Sequence, residues 1–138
     1  MQHFELIVIG GGPGGYVAAI RAAQLGKQVA LIERERVGGT CLNHGCIPTK
    51  TLYRTAEVLT EAQNASRYGV RAENVSLDLE STRARKQTVV DTLVGGVQSL
   101  LKANHVTVIS GEASFADAST VRVGDETYTA DAFLIATG

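Results

Sequence analysis

Short apolar runs and longer amphipathic stretches alternate along the 138-residue chain. Residues 4–9 and 28–32 are short, apolar and rich in β-branched side chains, which favours buried parallel strands. Residues 17–25 between them have helical character, and Gly26 follows in the position of a C-terminal cap. The pattern therefore predicts one strand, helix and strand unit of about thirty residues.

Two further helices are predicted, over residues 48–66 and 79–103, because apolar side chains recur at three- and four-residue steps. Pro48 suits the first turn of the earlier helix. Gly95 and Gly96 inside the later helix each cost roughly 1 kcal/mol relative to alanine, so we expect a close packing contact or a kink there. The predicted apolar faces are Leu52, Ala56, Leu59 and Ala62 in the first helix and Val90, Leu93, Val97, Leu100 and Leu101 in the second.

Beyond residue 104 the apolar period changes to two, which predicts strands at residues 106–109, 120–123 and 126–130. The last two strands flank a Gly-Asp turn and are expected to form a hairpin. Residues 133–138 are typical of a buried strand that runs into a turn. The expected fold class is α/β, with a mainly parallel sheet, helices on both faces and a small antiparallel hairpin or meander.

Composition narrows the range of partners. Hydrophobic residues make up 44% of the chain, charged residues 20%, and the net charge is −1, as in an ordinary globular domain. The basic residues are scattered, so neither nucleic acid nor an acidic membrane surface is an expected partner. No signal peptide or membrane span is predicted, and we expect a single cytoplasmic unit that binds a small molecule or another protein.

A glycine-rich turn follows the first predicted strand. Gly10, Gly12 and Gly15 satisfy G-x-G-x-x-G, and Glu33 ends the next predicted strand. In this context the first glycine permits the tight turn, the second lets the backbone approach a pyrophosphate, and the third lets helix and strand pack closely. A carboxylate at Glu33 can accept hydrogen bonds from a ribose diol. The motif predicts a site for the ADP part of NAD or FAD and does not distinguish the two.

The only two cysteines, Cys41 and Cys46, lie in the stretch GGTCLNHGCIPTK. A zinc site would need further ligands at a recognisable spacing, and the sequence offers none. A structural disulfide closing so short a loop would contribute roughly 2 kcal/mol, and two unpaired buried cysteines are a third interpretation. The favoured interpretation is a redox pair, because Cys46 precedes a predicted helix start, where the helix dipole lowers the pKa of a thiol.

Lys50 supports the redox interpretation. A cation in the first turn of a helix is unfavourable for the helix dipole, and such violations of a local rule occur at functional positions. The lysine could stabilise a thiolate or a developing negative charge on a cofactor ring.

Together these features resemble the flavin-dependent pyridine nucleotide–disulfide oxidoreductases. The resemblance rests on GGGPGGYVAAIRAAQLG, Glu33, GGTCLNHGCIPTK and the terminal ATG, and it covers essentially all 138 residues. Within the family, the sequences of the glycine turn and the cysteine motif are most similar to the branch that oxidises dihydrolipoamide. The alternatives are a glutathione- or mercuric-reductase-like enzyme and a non-catalytic FAD- or nucleotide-binding module. His44 departs from the family pattern, which often has valine there.

The resemblance implies a Rossmann-like FAD-binding domain and a role for particular residues. It implies that Cys41 exchanges with the substrate disulfide and that Cys46 is the charge-transfer thiol beside the flavin. It also implies a set of cofactor-binding residues, namely Gly10, Gly12, Pro13, Gly14, Gly15, Glu33, Arg34, Gly39, Thr40, Cys41, Cys46, Lys50, Ala113, Ala136, Thr137 and Gly138.

The resemblance further implies a Cys41–Cys46 redox disulfide, FAD as cofactor and NAD as final acceptor. The implied partners are lipoamide and dihydrolipoamide of 2-oxoacid dehydrogenase or related complexes, and a homodimer in the full-length form. Family members run to several hundred residues, so we expect residues 1–138 to be the N-terminal portion of the FAD-binding domain. The NAD-binding and dimer-interface domains have no counterpart in this sequence, and the chain alone is expected not to transfer hydride to NAD.

Overall fold

The computed structural model describes residues 2–138. In this range six strands form one sheet, accompanied by four α-helices and one 3₁₀ helix. In chain order the elements are β1 (Gln2–Ile9), α1 (Pro13–Gln24), β2 (Val29–Glu33), α2 (Gly39–Asn43), α3 (Cys46–Gln63), the 3₁₀ helix (Ala65–Tyr68), α4 (Leu79–Ala103), β3 (Thr107–Ser110), β4 (Ala113–Phe115), β5 (Thr120–Val123) and β6 (Glu126–Ile135).

The strand order across the sheet is β3-β2-β1-β6-β5-β4. Strands β3, β2, β1 and β6 are mutually parallel, whereas β4, β5 and β6 form an antiparallel meander. In the register, Ile9 lies opposite both Ile32 and Ile135, and Glu33 lies opposite Ser110. The carboxyl ends of all four parallel strands therefore meet along one edge of the sheet, where open α/β sheets bind ligands.

One face of the sheet packs against helices. Val8 of β1 and Leu31 of β2 are buried with Ala19 of α1 and with Val94 and Leu101 of α4. Each large side chain removed from water in this way stabilises the fold by roughly 2 kcal/mol. This cluster holds α1 and α4 against the strands.

The other face is covered by strands, so the expectation of helices on both faces is wrong. The second buried cluster joins Ile7 and Ile32 of the parallel strands to Val121 and Val123 of β5, and it contains no helical residue. A Cβ atom added to Gly111, just beyond β3, would overlap the Val123 side chain. Sheet twist accumulates along the meander, so the antiparallel strands fold back across the parallel ones and occupy the face that a helix would cover.

Helix α3 differs from its prediction in both start and orientation. It begins at Cys46 rather than at residue 48, and the predicted face is only partly right. Leu59 and Ala62 are half-buried, whereas Leu52 and Ala56 are exposed and Thr51 is buried instead. The Thr51 hydroxyl donates to the Ile47 carbonyl at 2.8 Å, and the Thr55 hydroxyl donates to the Thr51 carbonyl at 3.3 Å. A threonine whose hydroxyl bonds to its own helix can be buried at little cost, and apolar periodicity does not reveal it.

Helix α4 has the predicted bounds, and Val90, Val97 and Leu101 are buried as expected. Leu93 and Leu100 are exposed, and Val94 takes their place. The helix continues without interruption through its two glycines, and a Cβ added to either would meet no atom within 4 Å. The expected close contact at Gly95 and Gly96 is therefore wrong.

The predicted strands over residues 126–130 and 133–138 are one strand, β6, because it pairs with β1 along most of its length. The short elements α2 and β4 were not predicted. Five- and three-residue elements are too short for a hydrophobic period to register. Within residues 2–138, no helix is both long and apolar enough to cross a bilayer.

Candidate functional site

A cleft of about 690 Å³ lies at the carboxyl ends of the parallel strands. It is bounded by the turn between β1 and α1, the loop after β2, helix α2 and the residues that follow β6. Its lining consists of Gly10, Gly12, Pro13, Gly14, Glu33, Arg34, Glu35, Arg36, Gly39, Thr40, Cys41, Asn43, His44, Ala136, Thr137 and Gly138.

The glycine turn is shaped by close backbone contacts. Gly10 has φ +106°, and a Cβ there would overlap the Ala136 carbonyl oxygen. A Cβ on Gly15 would overlap the Gly10 carbonyl oxygen, so Gly15 lets α1 pack directly on the turn. Gly12 precedes α1 as its N-cap, with Pro13 in the first turn. The exposed N–H groups of the helix therefore begin in the cleft wall, as in sites for phosphate groups.

A second glycine pair brings the cysteine region onto this turn. The Gly38 N–H donates to the Gly11 carbonyl at 2.7 Å. Gly39 has φ +58°, and a Cβ there would lie 2.7 Å from the Gly12 Cα. Because both glycine turns must approach so closely, α2 starts beside the N-terminus of α1.

Glu33 ends β2 with its carboxylate held by backbone amides. Its Oε2 accepts from the Gly11 N–H at 2.7 Å, and its Oε1 accepts from the Glu35 N–H at 2.8 Å. Each carboxylate oxygen can accept a further hydrogen bond. The side chain is therefore oriented before any ligand binds, with acceptors left for a pair of hydroxyl groups.

The two cysteines lie on consecutive helices. Cys41 is partly buried in α2, and Cys46 is exposed as the first residue of α3, with neither in a disulfide. Between them, the His44 N–H donates to the Thr40 carbonyl at 2.8 Å, and a Cβ on Gly45 would lie 3.1 Å from the same oxygen. This tight connection folds α3 back on α2 and brings the two thiols together.

The Cys41 thiol responds electrostatically to its neighbours. A hydrogen bond with the Cys46 side chain raises the pKa of Cys41, and burial and the negative charge of Cys46 raise it further. The charge of Lys50 acts in the opposite direction and lowers the pKa. Since α3 begins at Cys46, Lys50 lies four residues further on and not in the first turn as predicted. Positions four apart share a helix face, so Lys50 lies on the same side of α3 as Cys46.

Most of the predicted site residues come together. Twelve line the cleft, and Ala113 lines an adjoining cavity of about 300 Å³ that also contacts Glu33 and Arg34. Gly15, Cys46 and Lys50 do not line the cleft. Gly15 acts beneath it through packing. Arg34 forms ion pairs with two carboxylates, at 3.9 Å from Glu35 and 3.8 Å from Glu112.

Several residues of the site were not predicted. Glu35, Arg36 and Asn43 line the cleft, and the Asn43 amide donates to the Val37 and Gly39 carbonyls at 3.2 and 3.0 Å. This side chain holds the loop between β2 and α2. A usable signal existed, because residues that follow a parallel strand at its carboxyl end border the ligand crevice. Within residues 2–138, no three His, Cys, Asp or Glu side chains gather into a potential metal site.

Comparison with known families gives a match to the pyridine nucleotide-disulphide oxidoreductases over residues 4–138. This chain belongs to that family. The match includes the glycine turn, both cysteines and the meander, so the predicted resemblance is confirmed along nearly the whole chain.

Three curated relatives are named dihydrolipoyl dehydrogenase. The chain is 50% identical over 97% of its length to the dihydrolipoyl dehydrogenase of Geobacillus stearothermophilus, and 49% identical over 97% to that of Haloferax volcanii. It is 58% identical to the dihydrolipoyl dehydrogenase of Zymomonas mobilis over 80% of its length. The chain spans 24% to 30% of the length of these relatives.

Proposed function

We propose that residues 1–138 are the N-terminal portion of the FAD-binding domain of a disulfide oxidoreductase that oxidises dihydrolipoamide, with NAD as the final acceptor. The observation that carries the proposal is that Cys41, with Cys46 beside it, lies in the wall of the same cleft as the Gly12 turn and Glu33. The names of the relatives favour lipoamide over glutathione or mercury as the substrate class.

The residues of the cleft fit a flavin dinucleotide. A volume of about 690 Å³ lies within the range of cofactor sites. The backbone N–H groups of Gly12 and Gly14 would bind the diphosphate, and the oriented carboxylate of Glu33 would bind the ribose diol. The adjoining cavity at Ala113 would take the adenine, which leaves the flavin for the end of the cleft at Cys41.

The two cysteines would carry the exchange with substrate. In the oxidised pair, a substrate thiolate attacks the Cys41 sulfur, the bond between Cys41 and Cys46 breaks, and Cys46 leaves as a thiolate. The second substrate thiol then attacks the mixed disulfide and releases Cys41, which takes up the proton that the attacking thiol loses. The substrate loses two electrons and the cysteines gain them. A bound flavin would supply the hydride chemistry that connects this dithiol to NAD.

Protein groups would stabilise the charge formed in this step. The pKa of Cys41 is raised by its hydrogen bond with Cys46, which favours the thiol form of Cys41. The charge formed when the disulfide opens is that of the leaving sulfur of Cys46. Lys50 shares a helix face with Cys46 and would oppose that charge. The roles proposed here, Cys46 as the charge-transfer thiol and Cys41 as the interchange thiol, are those that the family resemblance implies.

We extend the proposal to the whole protein. Its partners would be the lipoamide groups of 2-oxoacid dehydrogenase or related complexes, and it would form a homodimer in the cytoplasm. NAD would bind to a region outside these 138 residues, because they contain a single G-x-G-x-x-G turn, already assigned to FAD.

Titration of the 138-residue protein with FAD tests the cofactor site. We expect saturable binding, with an absorption band at long wavelength on partial reduction that is lost in Cys46→Ser and kept in Cys41→Ser. Alkylation followed by mass measurement should show both thiols protected after oxidation. NADH and lipoamide should give no sustained turnover with this chain alone. A protein that binds no FAD, or whose long-wavelength band depends on Cys41 alone, would contradict the proposal.

A further inference from the structure

Gly11 occupies a position that the G-x-G-x-x-G pattern leaves open. Its φ lies outside the left-handed region, so its backbone conformation does not by itself require glycine. The residue is buried and does not line the cleft. The presence of glycine at this position therefore needs a reason other than the turn or a direct phosphate contact.

Both polar groups of the Gly11 residue are already bonded within the protein. Its N–H donates to Glu33 Oε2 at 2.7 Å, and its carbonyl accepts from the Gly38 N–H at 2.7 Å. The residue thus connects the acidic side chain at the end of β2 to the glycine turn that precedes the cysteine helix. Neither group is left to bind a phosphate.

The space beside Gly11 is filled by Glu33. A Cβ atom added at Gly11 would lie 3.0 Å from Glu33 Oε2 and 3.2 Å from both Cβ and Cγ of the same side chain. All three of its nearest neighbours are atoms of Glu33. A Cβ at this position would therefore require the Glu33 side chain to shift by a few tenths of an ångström, which is the displacement that the experiment below tests.

We propose that Gly11 is a positioning residue that aims the Glu33 carboxylate at the ribose of the bound nucleotide. The proposal rests on the proposed function, because it supposes an ADP moiety in the cleft. The Gly11 and Glu35 N–H groups take one acceptor position on each carboxylate oxygen, and the remaining positions face the two ribose hydroxyls. Ribose recognition then depends on the absence of a side chain at the position between the first two motif glycines.

A double-mutant cycle of Gly11→Ala and Glu33→Ala in the 138-residue protein tests this, with ADP binding measured by calorimetry and unfolding by urea. Glu33→Ala removes Oε2 and Cγ, two of the three crowded atoms. We expect Gly11→Ala to weaken ADP binding roughly tenfold in the natural background and hardly at all in the Glu33→Ala background. The preference for ADP over 2′,3′-dideoxy-ADP should fall in Gly11→Ala, because the loss concerns the hydroxyls.

Gly96→Ala serves as the matched control. It also adds one methyl group, in open space on α4, and should leave ADP affinity and ribose preference unchanged. If Gly11→Ala fails to fold, the free energies of unfolding in urea replace the binding data in the cycle. Restored folding in the double variant would then support the proposal.

Three results would overturn the role of Gly11. These are additive losses in the two variants, an unchanged ribose preference in Gly11→Ala, or a double variant no more stable than Gly11→Ala. If the natural protein binds neither ADP nor FAD, the proposed function fails, and the ribose role fails with it.

Discussion

At the scale of single residues, several opposing effects act on the pKa of Cys41. Its hydrogen bond with Cys46 raises its pKa, as do burial and the charge of Cys46, whereas the charge of Lys50 lowers it. The sign of each influence follows from whether the neighbour stabilises the thiol or the thiolate. The titration of Cys41 therefore reports on the whole cysteine pair.

Replacing Cys46 with alanine should lower the pKa of Cys41, because the variant loses both the hydrogen bond and the neighbouring charge. The midpoint of a pH profile of iodoacetamide alkylation at Cys41 measures this. The midpoint, rather than the rate, is the appropriate quantity, since removing a side chain also improves access. An unchanged or higher midpoint would contradict the arrangement.

Lys50→Met should move the same midpoint in the opposite direction, because the lysine charge stabilises the Cys41 thiolate. The expected profile lies at higher pH than that of the natural protein. A matched control is Lys86→Met on α4, which removes an equal charge that has no part in the Cys41 titration. Equal shifts in both lysine variants would show a general charge effect.

At the scale of elements, α4 contains two glycines that the structure does not require. A Cβ at Gly95 or Gly96 meets no atom within 4 Å, and both residues have helical backbone conformation. Gly96→Ala should therefore raise the free energy of unfolding by about 0.5 to 1 kcal/mol, through helix propensity and a less flexible unfolded chain. Urea denaturation monitored by circular dichroism measures it.

Gly124→Ala provides the contrast. Gly124 also lies in open space, but it has φ +58° in the turn between β5 and β6. The same methyl group should lower the free energy of unfolding there by about 1 kcal/mol, because the left-handed conformation is unfavourable for alanine. Equal effects at the two positions would mean that backbone conformation does not govern either of them.

The N-terminus of α4 carries a pH-dependent cap. The Asp78 carboxylate accepts from the Ser81 N–H at 2.9 Å and from the Ser81 hydroxyl at 2.7 Å. These hydrogen bonds, the backbone one above all, lower the pKa of Asp78 below its ordinary value. Because the folded pKa is the lower one, the cap stabilises the fold at pH values above the unfolded pKa. That stabilisation is lost as the pH falls through the folded pKa.

Asp78→Ala should accordingly lower the melting temperature at neutral pH, and the difference from the natural protein should vanish in strong acid. Asp78→Asn keeps an acceptor without the titration, so its melting temperature should stay near that of the natural protein at neutral pH. A deficit in Asp78→Ala that persists unchanged into acid would argue against the cap.

At the scale of the whole molecule, one sheet is buried by helices on one face and by its own meander on the other. Val94 of α4 belongs to the first cluster and Val121 of β5 to the second, and both are almost completely buried. Both clusters share the strands β1 and β2, whose alternate side chains point to opposite faces. The two clusters should therefore unfold together.

Val94→Ala and Val121→Ala should each lower the free energy of unfolding by about 2 kcal/mol, through lost burial and a residual cavity. In both variants, the circular dichroism of the helices and the fluorescence of the tyrosines should change together in a single unfolding transition. A meander that melts separately in Val121→Ala would show that the second face is an independent unit.

Much of the lining of the candidate cleft could be predicted because its features are local. Gly10, Gly12 and Glu33 follow short apolar strands, and the family match confirms the resemblance that the cysteine motif suggested. The bounds of α4 could also be predicted, because a 25-residue helix repeats its apolar period several times. Thr51 could not, since a threonine that bonds to its own helix looks polar in a sequence and is buried in the fold.

The order of residues alone determined the strand and helix alternation, the glycine turn and the proximity of two cysteines, because these depend on period and on neighbours a few residues apart. Tertiary structure decided what lies against each element. The meander, not a helix, covers the second face, α3 turns its threonine side inward, and Gly11 meets Glu33 across 22 positions of sequence. Such contacts depend on how distant segments pack, and a local pattern carries no information on the partner.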